Sequence, residues 1–331
     1  MTTTLSAHDY LDPAIYERER TAVFGRTWQL AGFRAQLAKP GDYILDEFAG
    51  WSIVVVVDET GALRAFHNVC RHRAGPLVTD AVGNSPSFVC RYHGWAYGLD
   101  GSLRSARDFG DEALDPSEYP LYAVRVEEWR GLVFVNLSPD GPTLADDHGA
   151  FFAAFADQPL ESFTYTQHSE HDIATNWKVY CDNYGEGYHV PLVHPELNRE
   201  VVAKEYRVEV ADRYCVHSVP ARDGAVNQGL WLWRYPNLAI NVYPHAMNIE
   251  RFIPVGPRHT IVRYDYFFAD PDDPTNADVI RMGIELMDED RTICEHVQAN
   301  LERGVYDAGV LSPRHENGLI AFQQWWRESL A

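Results

Sequence analysis

The chain has 331 residues, 46% of them hydrophobic and 13% aromatic, enough for two domains with cores of their own and too apolar for long disorder. A formal net charge of −20 excludes a general polyanion-binding surface, so nucleic acid is not the expected partner. The longest candidate apolar run, residues 53–57, has strand length, so no membrane span is expected.

Residues 1–13 carry neither the basic nor the apolar region of a secretory signal. Of the five cysteines, Cys181, Cys215 and Cys294 stand alone, which does not make a secreted disulfide framework; a reducing cytoplasm is the expected setting. Residues 14–27 predict helix within an N-terminal segment, 1–40. From residue 41 the texture changes to short strands with turn signals. Residues 52–57, the turn Asp58-Glu59-Thr60-Gly61 and residues 62–66 read as a hairpin, and residues 121–129 and 131–137 as a second pair of strands about Arg130. This β domain, 41–140, ends near the turn Ser138–Thr143. The remainder, 141–331, mixes the two states: residues 238–243, 248–253 and 260–268 read as antiparallel strands, and residues 276–304 as one long helix.

Inside the β domain lie Cys70-x-His72 and, after seventeen residues, Cys90-x-x-His93. Thiolate and imidazole are metal ligands, and two short-spaced pairs let two loops hold one centre. Structural zinc is one reading, although zinc pairs usually join like with like. Here each pair holds one Cys and one His. That division fits a 2Fe-2S cluster of Rieske type, in which one iron takes two Cys and the other two His.

A second set follows in Asn176–Pro195. Glu186 and His189 are three apart and share a helix face. Pro191 is expected to end that helix, so that His194 folds back towards His189. In the long helix, Ile280, Ile284, Met287, Cys294, Val297 and Leu301 form one apolar stripe with a single gap, filled by Asp290; Asp288 and Glu289 point to solvent. A carboxylate on a buried stripe needs a partner, either a metal or a cation such as Arg291 or Lys178. His189, His194 and Asp290 together make a 2-His-1-carboxylate set suited to Fe(II) with open coordination positions.

The stretches AFHNVCRHR, CRYHGWAYGLDGSL, NWKVYCDNYGEGYHVPLVHP and EDRTICEHVQ together resemble the large subunit of Rieske non-heme iron oxygenases over nearly the whole chain. The oxygenase branch fits better than the respiratory one, whose two extra cysteines match Gly75 and Tyr92 here. The resemblance implies an α+β fold: a Rieske-type antiparallel β domain and a helix-grip catalytic domain in which a curved antiparallel sheet holds a long helix, with the N-terminal segment packed on the catalytic domain. It implies a 2Fe-2S cluster on Cys70, His72, Cys90 and His93, and Fe(II) on His189, His194 and Asp290. A reductase or ferredoxin would supply electrons from NAD(P)H, and the oligomer would be a homotrimer. Electrons would pass between subunits through a carboxylate at Glu186, and Asn183 would lie close to the iron.

Ring-dihydroxylating members usually carry Asp at the bridging position. Glu186 and EDRTICEHVQ resemble instead the choline, carnitine and betaine branch, which oxidises methylammonium compounds. The expected reaction is hydroxylation or N-demethylation of a small substrate with O2; an aromatic ring hydroxylase or O-demethylase is the alternative. A quaternary ammonium would want aromatic faces, and Trp231, Trp233 and Tyr235 alternate on one face of a strand, although ordinary packing explains such a row as well. Arg234 would meet a substrate carboxylate or solvent. Two readings from other classes are a pure electron carrier without mononuclear iron and a zinc-stapled binding protein.

Overall fold

A computed structural model describes residues 2–112, 114–222 and 229–331. The chain forms two compact units, one of residues 24–147 and one of residues 1–23 with 148–331. The segment expected over 1–40 therefore divides between them.

The N-terminus is not one helix to residue 27. α1 (Ala7–Leu11) is started by Ser6 and Asp9, which bond one another's ends of the first turn. α2 (Pro13–Glu19) begins with Asp12 accepting from the Ala14 amide and Pro13 at the first position, and a π-turn follows over Arg20–Phe24.

In the first unit β1 (Gln29–Phe33), β2 (Asp42–Phe48), β3 (Trp51–Val57), β4 (Leu63–His67) and β5 (Val82–Asn84) belong to one antiparallel sheet. β6 (Phe88–Val89), β7 (Ala96–Tyr97) and β8 (Leu103–Ser105) form a separate three-stranded sheet. β9 (Ala123–Trp129) and β10 (Leu132–Asn136) complete the larger one, in the order β1-β10-β9-β4-β3-β2-β5. Both expected hairpins are present. In the first, Val57 pairs with Leu63 and the Asp58 carboxylate accepts from the Thr60 and Ala62 amides. In the second, Arg130 and Gly131 turn the chain with φ of 49° and 82°, the left-handed pair of a tight hairpin.

α3 (Leu144–Ala153) leads out of this unit. In the other, β11 (Thr164–Ile173) is followed by α4 (Trp177–Tyr184), α5 (Val190–Val193) and α6 (Pro195–Glu200). β12 (Arg207–Val210), β13 (Tyr214–Ser218), β14 (Leu230–Arg234), β15 (Leu238–Val242), β16 (Ala246–Gly256) and β17 (His259–Phe268) then build an antiparallel sheet ordered β11-β17-β16-β15-β14-β13-β12. Last come α7 (Asn276–Glu302) and α8 (Asn317–Leu330). Tyr180 and Tyr184 of α4 set their rings edge-on or tilted against Phe252 of β16, and α7 packs on α4, with the buried Cys294 Sγ 4.0 Å from the Val179 carbonyl. This is the expected α+β arrangement of sheet and helix. No helix among the described residues is long and apolar enough to cross a membrane.

The stripe on α7 differs in detail from its expectation. Val297 is exposed, and Gln298 is buried in its place, accepting from the Asn176 amide. The helix expected to carry both Glu186 and His189 stops at Tyr184. Pro191 does not end it; it sits in the first turn of α5, where its missing N–H costs nothing.

Candidate active site

The first site is two tight loops of the same design. The Cys70 amide donates to the Gly75 carbonyl (2.8 Å) and the Cys90 amide to the Trp95 carbonyl (2.9 Å). Ala74 and Gly94 take the left-handed turn positions, with φ of 55° and 77°. The result is a gradient: both thiols are buried and free of disulfides, while both imidazoles lie at the exposed side with ring centroids 4.5 Å apart. His72 is held flat against Trp95, at 5.0 Å and 9°. The Tyr97 hydroxyl lies 3.4 Å from Cys70 Sγ and accepts from the Arg71 amide. Two sulfurs inside and two imidazoles outside fit a cluster whose outer iron faces an electron partner.

Gly75 is constrained by this arrangement. A Cβ there would lie 2.8 Å from Cys90 Sγ and 3.3 Å from Tyr92 Cβ. Gly75→Ala is expected to lower cluster content, read as visible absorption per chain, with the fold retained by circular dichroism.

The second site is built around the turn after α4. Glu186 accepts from the amides of Tyr188 and His189 and from His189 Nδ1 (2.5 Å), so the turn holds its own carboxylate against the imidazole. His194 ends α5, and its Nδ1 bonds Glu289 of α7 at 2.8 Å. Glu289 therefore does not point to solvent as expected; it orients His194. Arg291 pairs with Asp288 and Lys178 with Glu19, so neither cation is the partner of Asp290.

The ligand atoms of His189, His194 and Asp290 all lie within 4.8 Å of one another. His189 Nε2 is 3.1 Å from His194 Nε2, and Asp290 Oδ1 is 3.1 Å from the latter and 3.7 Å from the former. Each Nδ1 faces a carboxylate and keeps its proton, so each Nε2 turns a lone pair inward. Asp290 Oδ1 is buried without a hydrogen-bond donor. Three acceptors aimed at one point repel unless a cation lies between them, and this donor set fits a divalent iron.

A cavity of about 120 Å³ opens on this point and is lined by all three residues, by Glu186 and by Asn183. That is small beside ligand pockets of about 300–1,000 Å³. Tyr180, Tyr184, Tyr206, Trp231, Tyr243 and Tyr264 supply its aromatic walls. Trp233 and Tyr235 do not line it; they pack on Phe322 and Trp325 of α8. Arg234 meets neither solvent nor the cavity: it is buried, and its Nη1 donates to the Asp212 carbonyl. The sequence did not single out Asn241, Glu250 or His217, polar residues on the strands that floor the cavity.

A buried-thiol, exposed-imidazole loop pair in one unit and a two-histidine, one-carboxylate centre in the other define a Rieske-type oxygenase component. Residues 27–114 match the Rieske [2Fe-2S] domain, and residues 160–225 and 215–331 match the ring hydroxylating alpha subunit (catalytic domain). The chain belongs to the family of ring-hydroxylating alpha subunits. It is 32% identical to choline monooxygenase of Beta vulgaris, over 97% of this chain and 76% of that one. It is 30% identical to the carnitine monooxygenase oxygenase subunit of Escherichia coli K12, over 88% and 78%. The structure of a quaternary ammonium Rieske monooxygenase superposes with a TM-score of 0.92 at 26% identity, over 100% of this chain and 96% of that one. The protein is thus an oxidoreductase that uses O2, a Rieske 2Fe-2S cluster and a mononuclear iron, and works with an electron donor and a small substrate.

Proposed function

We propose that this chain oxidises a methylated ammonium compound, and that the aromatic cavity over His189, His194 and Asp290 is where it does so. The carrying observation is that cavity: six aromatic side chains and no Lys or Arg among its described lining residues, a wall suited to a cation. The choline and carnitine monooxygenases among its relatives support the same reading. The overall change is R–H + O2 + 2e− + 2H+ → R–OH + H2O. Iron bound at the three-residue centre would supply O2 activation. The chain's own residues hold the substrate cation against the aromatic faces, keep bulk water out and orient the imidazoles through Glu186 and Glu289.

In this reading Cys70, His72, Cys90 and His93 hold the cluster, and the imidazoles His72 and His93 face the electron partner. Glu186, bonded to His189 Nδ1, carries the electron step between subunits of a homotrimer, and Asn183 lies beside the iron. The protein works in the cytoplasm without a membrane or nucleic-acid partner. Two experiments test these statements. In single turnover, protein reduced without oxygen and then exposed to it should reoxidise its cluster faster when a methylammonium substrate is bound; equal rates with and without every such substrate would remove the reading. Glu186→Gln is expected to lower coupled turnover about 10–100-fold, the range for an outer partner of a metal-bound His. Full turnover in that variant at normal iron content would end the bridging role.

A further inference from the structure

His217, Trp231 and Asn241, which line the cavity, belong to a row across the sheet. His217 of β13 pairs with Trp231 of β14, Trp231 with Asn241 of β15, and Asn241 with Asn248 of β16. Residues directly opposite in an antiparallel sheet share a face, so these four do. Glu250 is two residues beyond Asn248 and opposite Tyr264, which puts both on that face too. Glu250 is 5% exposed. Asn241 Nδ2 donates to it at 2.7 Å, and Tyr264 and Asn248 also bond it. All three are neutral: they fix the carboxyl group in place and supply no positive charge to balance it when it ionises.

The surrounding charges do not compensate it either. Three carboxylates, Asp290, Glu186 and Glu289, attend the histidine pair. Their formal −3 already exceeds the +2 of a ferrous ion, so that centre has no positive charge left over for Glu250. No Lys or Arg is among the described residues that line the cavity, and residues 223–228 contain none in sequence. His217 adds no positive charge: burial pulls its pKa down to about 4, its Nδ1 is taken by the Tyr206 hydroxyl at 2.9 Å, and its Nε2 is buried without a partner. Burial pushes the Glu250 carboxyl up to about 8, as befits an acid with no cation beside it, and a bound cation reverses that shift.

We infer that Glu250 is the anion that selects the substrate: a methylated ammonium ion whose other end is a hydroxyl or nothing polar, as in choline, and not one that carries its own carboxylate, as in carnitine. The inference rests on the methylammonium reading and narrows it. A cationic ligand completes the charge of the cavity. A zwitterion brings one more carboxylate into a buried site that already holds an excess and offers it no cationic partner; the neutral His217 Nε2 suits a hydroxyl. A merely structural Glu250, tying β15 to β16 through Asn241, would leave ligand charge without effect.

The test is calorimetric binding to the iron-loaded full-length protein under anaerobic conditions. The ligands are choline, tetramethylammonium, carnitine, γ-butyrobetaine and 3,3-dimethylbutan-1-ol, the uncharged isostere of choline. Choline is expected to bind about tenfold or more tightly than the isostere, and carnitine and γ-butyrobetaine about tenfold or more weakly than choline. Glu250→Gln should reduce the preference for choline over the isostere about threefold or more, the remainder being that of the aromatic faces, with Glu250→Asp between. If carnitine matches or exceeds choline, this inference falls and the methylammonium reading stands. If the cations bind no better than the isostere, both fall. A Glu250→Gln protein that folds and binds choline as the wild type does also overturns the role of Glu250. Should that variant not fold, the wild-type ranking alone decides.

Discussion

Replacing Asp290 by Ala is expected to abolish oxygenation, by a factor of about 10³ or more, and to leave the visible absorption of the 2Fe-2S cluster unchanged. Among the described residues, Asp290 Oδ1 is the one carboxylate oxygen close to both imidazole Nε2 atoms, at 3.1 and 3.7 Å. Without it two neutral imidazoles remain, which neither balance a divalent charge nor complete a facial set. Metal-assisted chemistry is worth several kcal/mol, and each 1.36 kcal/mol is tenfold in rate. Glu289→Gln is the contrast. It keeps all three ligands and removes the charge behind His194 Nδ1, so iron affinity should fall about 10–100-fold and recover at high iron. Iron content by metal analysis, set against cluster absorption, separates the cases. An Asp290→Ala protein with full mononuclear iron would show that the centre lies elsewhere.

Glu19→Ala is expected to cost the C-terminal unit about 3–5 kcal/mol, as the loss of one partner from a buried ion pair does. Glu19 and Lys178 are fully buried and paired at 2.5 Å. The same carboxylate accepts from Trp177 Nε1 at 2.9 Å and Trp326 Nε1 at 2.7 Å. It thus joins α2, α4 and α8, and its loss strands an ammonium and two indole N–H groups in the core. At about 2–4 °C per kcal/mol, the melting temperature of this unit should drop by roughly 6–20 °C. Glu19→Gln should be milder, because its amide oxygen can still accept from an indole. A drop under about 2 °C for Glu19→Ala, less than 1 kcal/mol on that scale, would mean that solvent or a rearranged partner reaches the site.

What could be read from the sequence was what is local. The Cys–His pairs are set by loops of a few residues, so their spacing alone carries the geometry. The two hairpins announce themselves in Asp58–Gly61 and Arg130–Gly131. Asp290 was legible because one residue broke an apolar period of α7. Glu289 was not: helical period puts it towards solvent, and only the packing of the α5 turn beside α7 brings His194 to it. Pro191 was misplaced because proline both starts and stops helices, and the break had already come at Gly185. Trp231, Trp233 and Tyr235 looked equivalent because a period of two gives the face and not the place along it. α8 covers Trp233 and Tyr235, while Trp231 is left to the cavity. Asn248 and Glu250 stand two apart about Ile249, as solvent-facing residues of a strand do, yet both are buried. Nothing in β16 alone distinguishes a wet outer face from the lined inner one.

The most direct measurement is turnover of the iron-loaded protein with hydrogen peroxide, which supplies oxygen and both electrons together and needs no reductase. A panel of methylammonium compounds and a panel of arenes would be offered and the products read by mass spectrometry. Oxidation of a methylammonium compound, lost in Asp290→Ala, is the expected result. Oxygenated arenes with every methylammonium compound untouched would contradict the proposed function and place this chain with the ring hydroxylases.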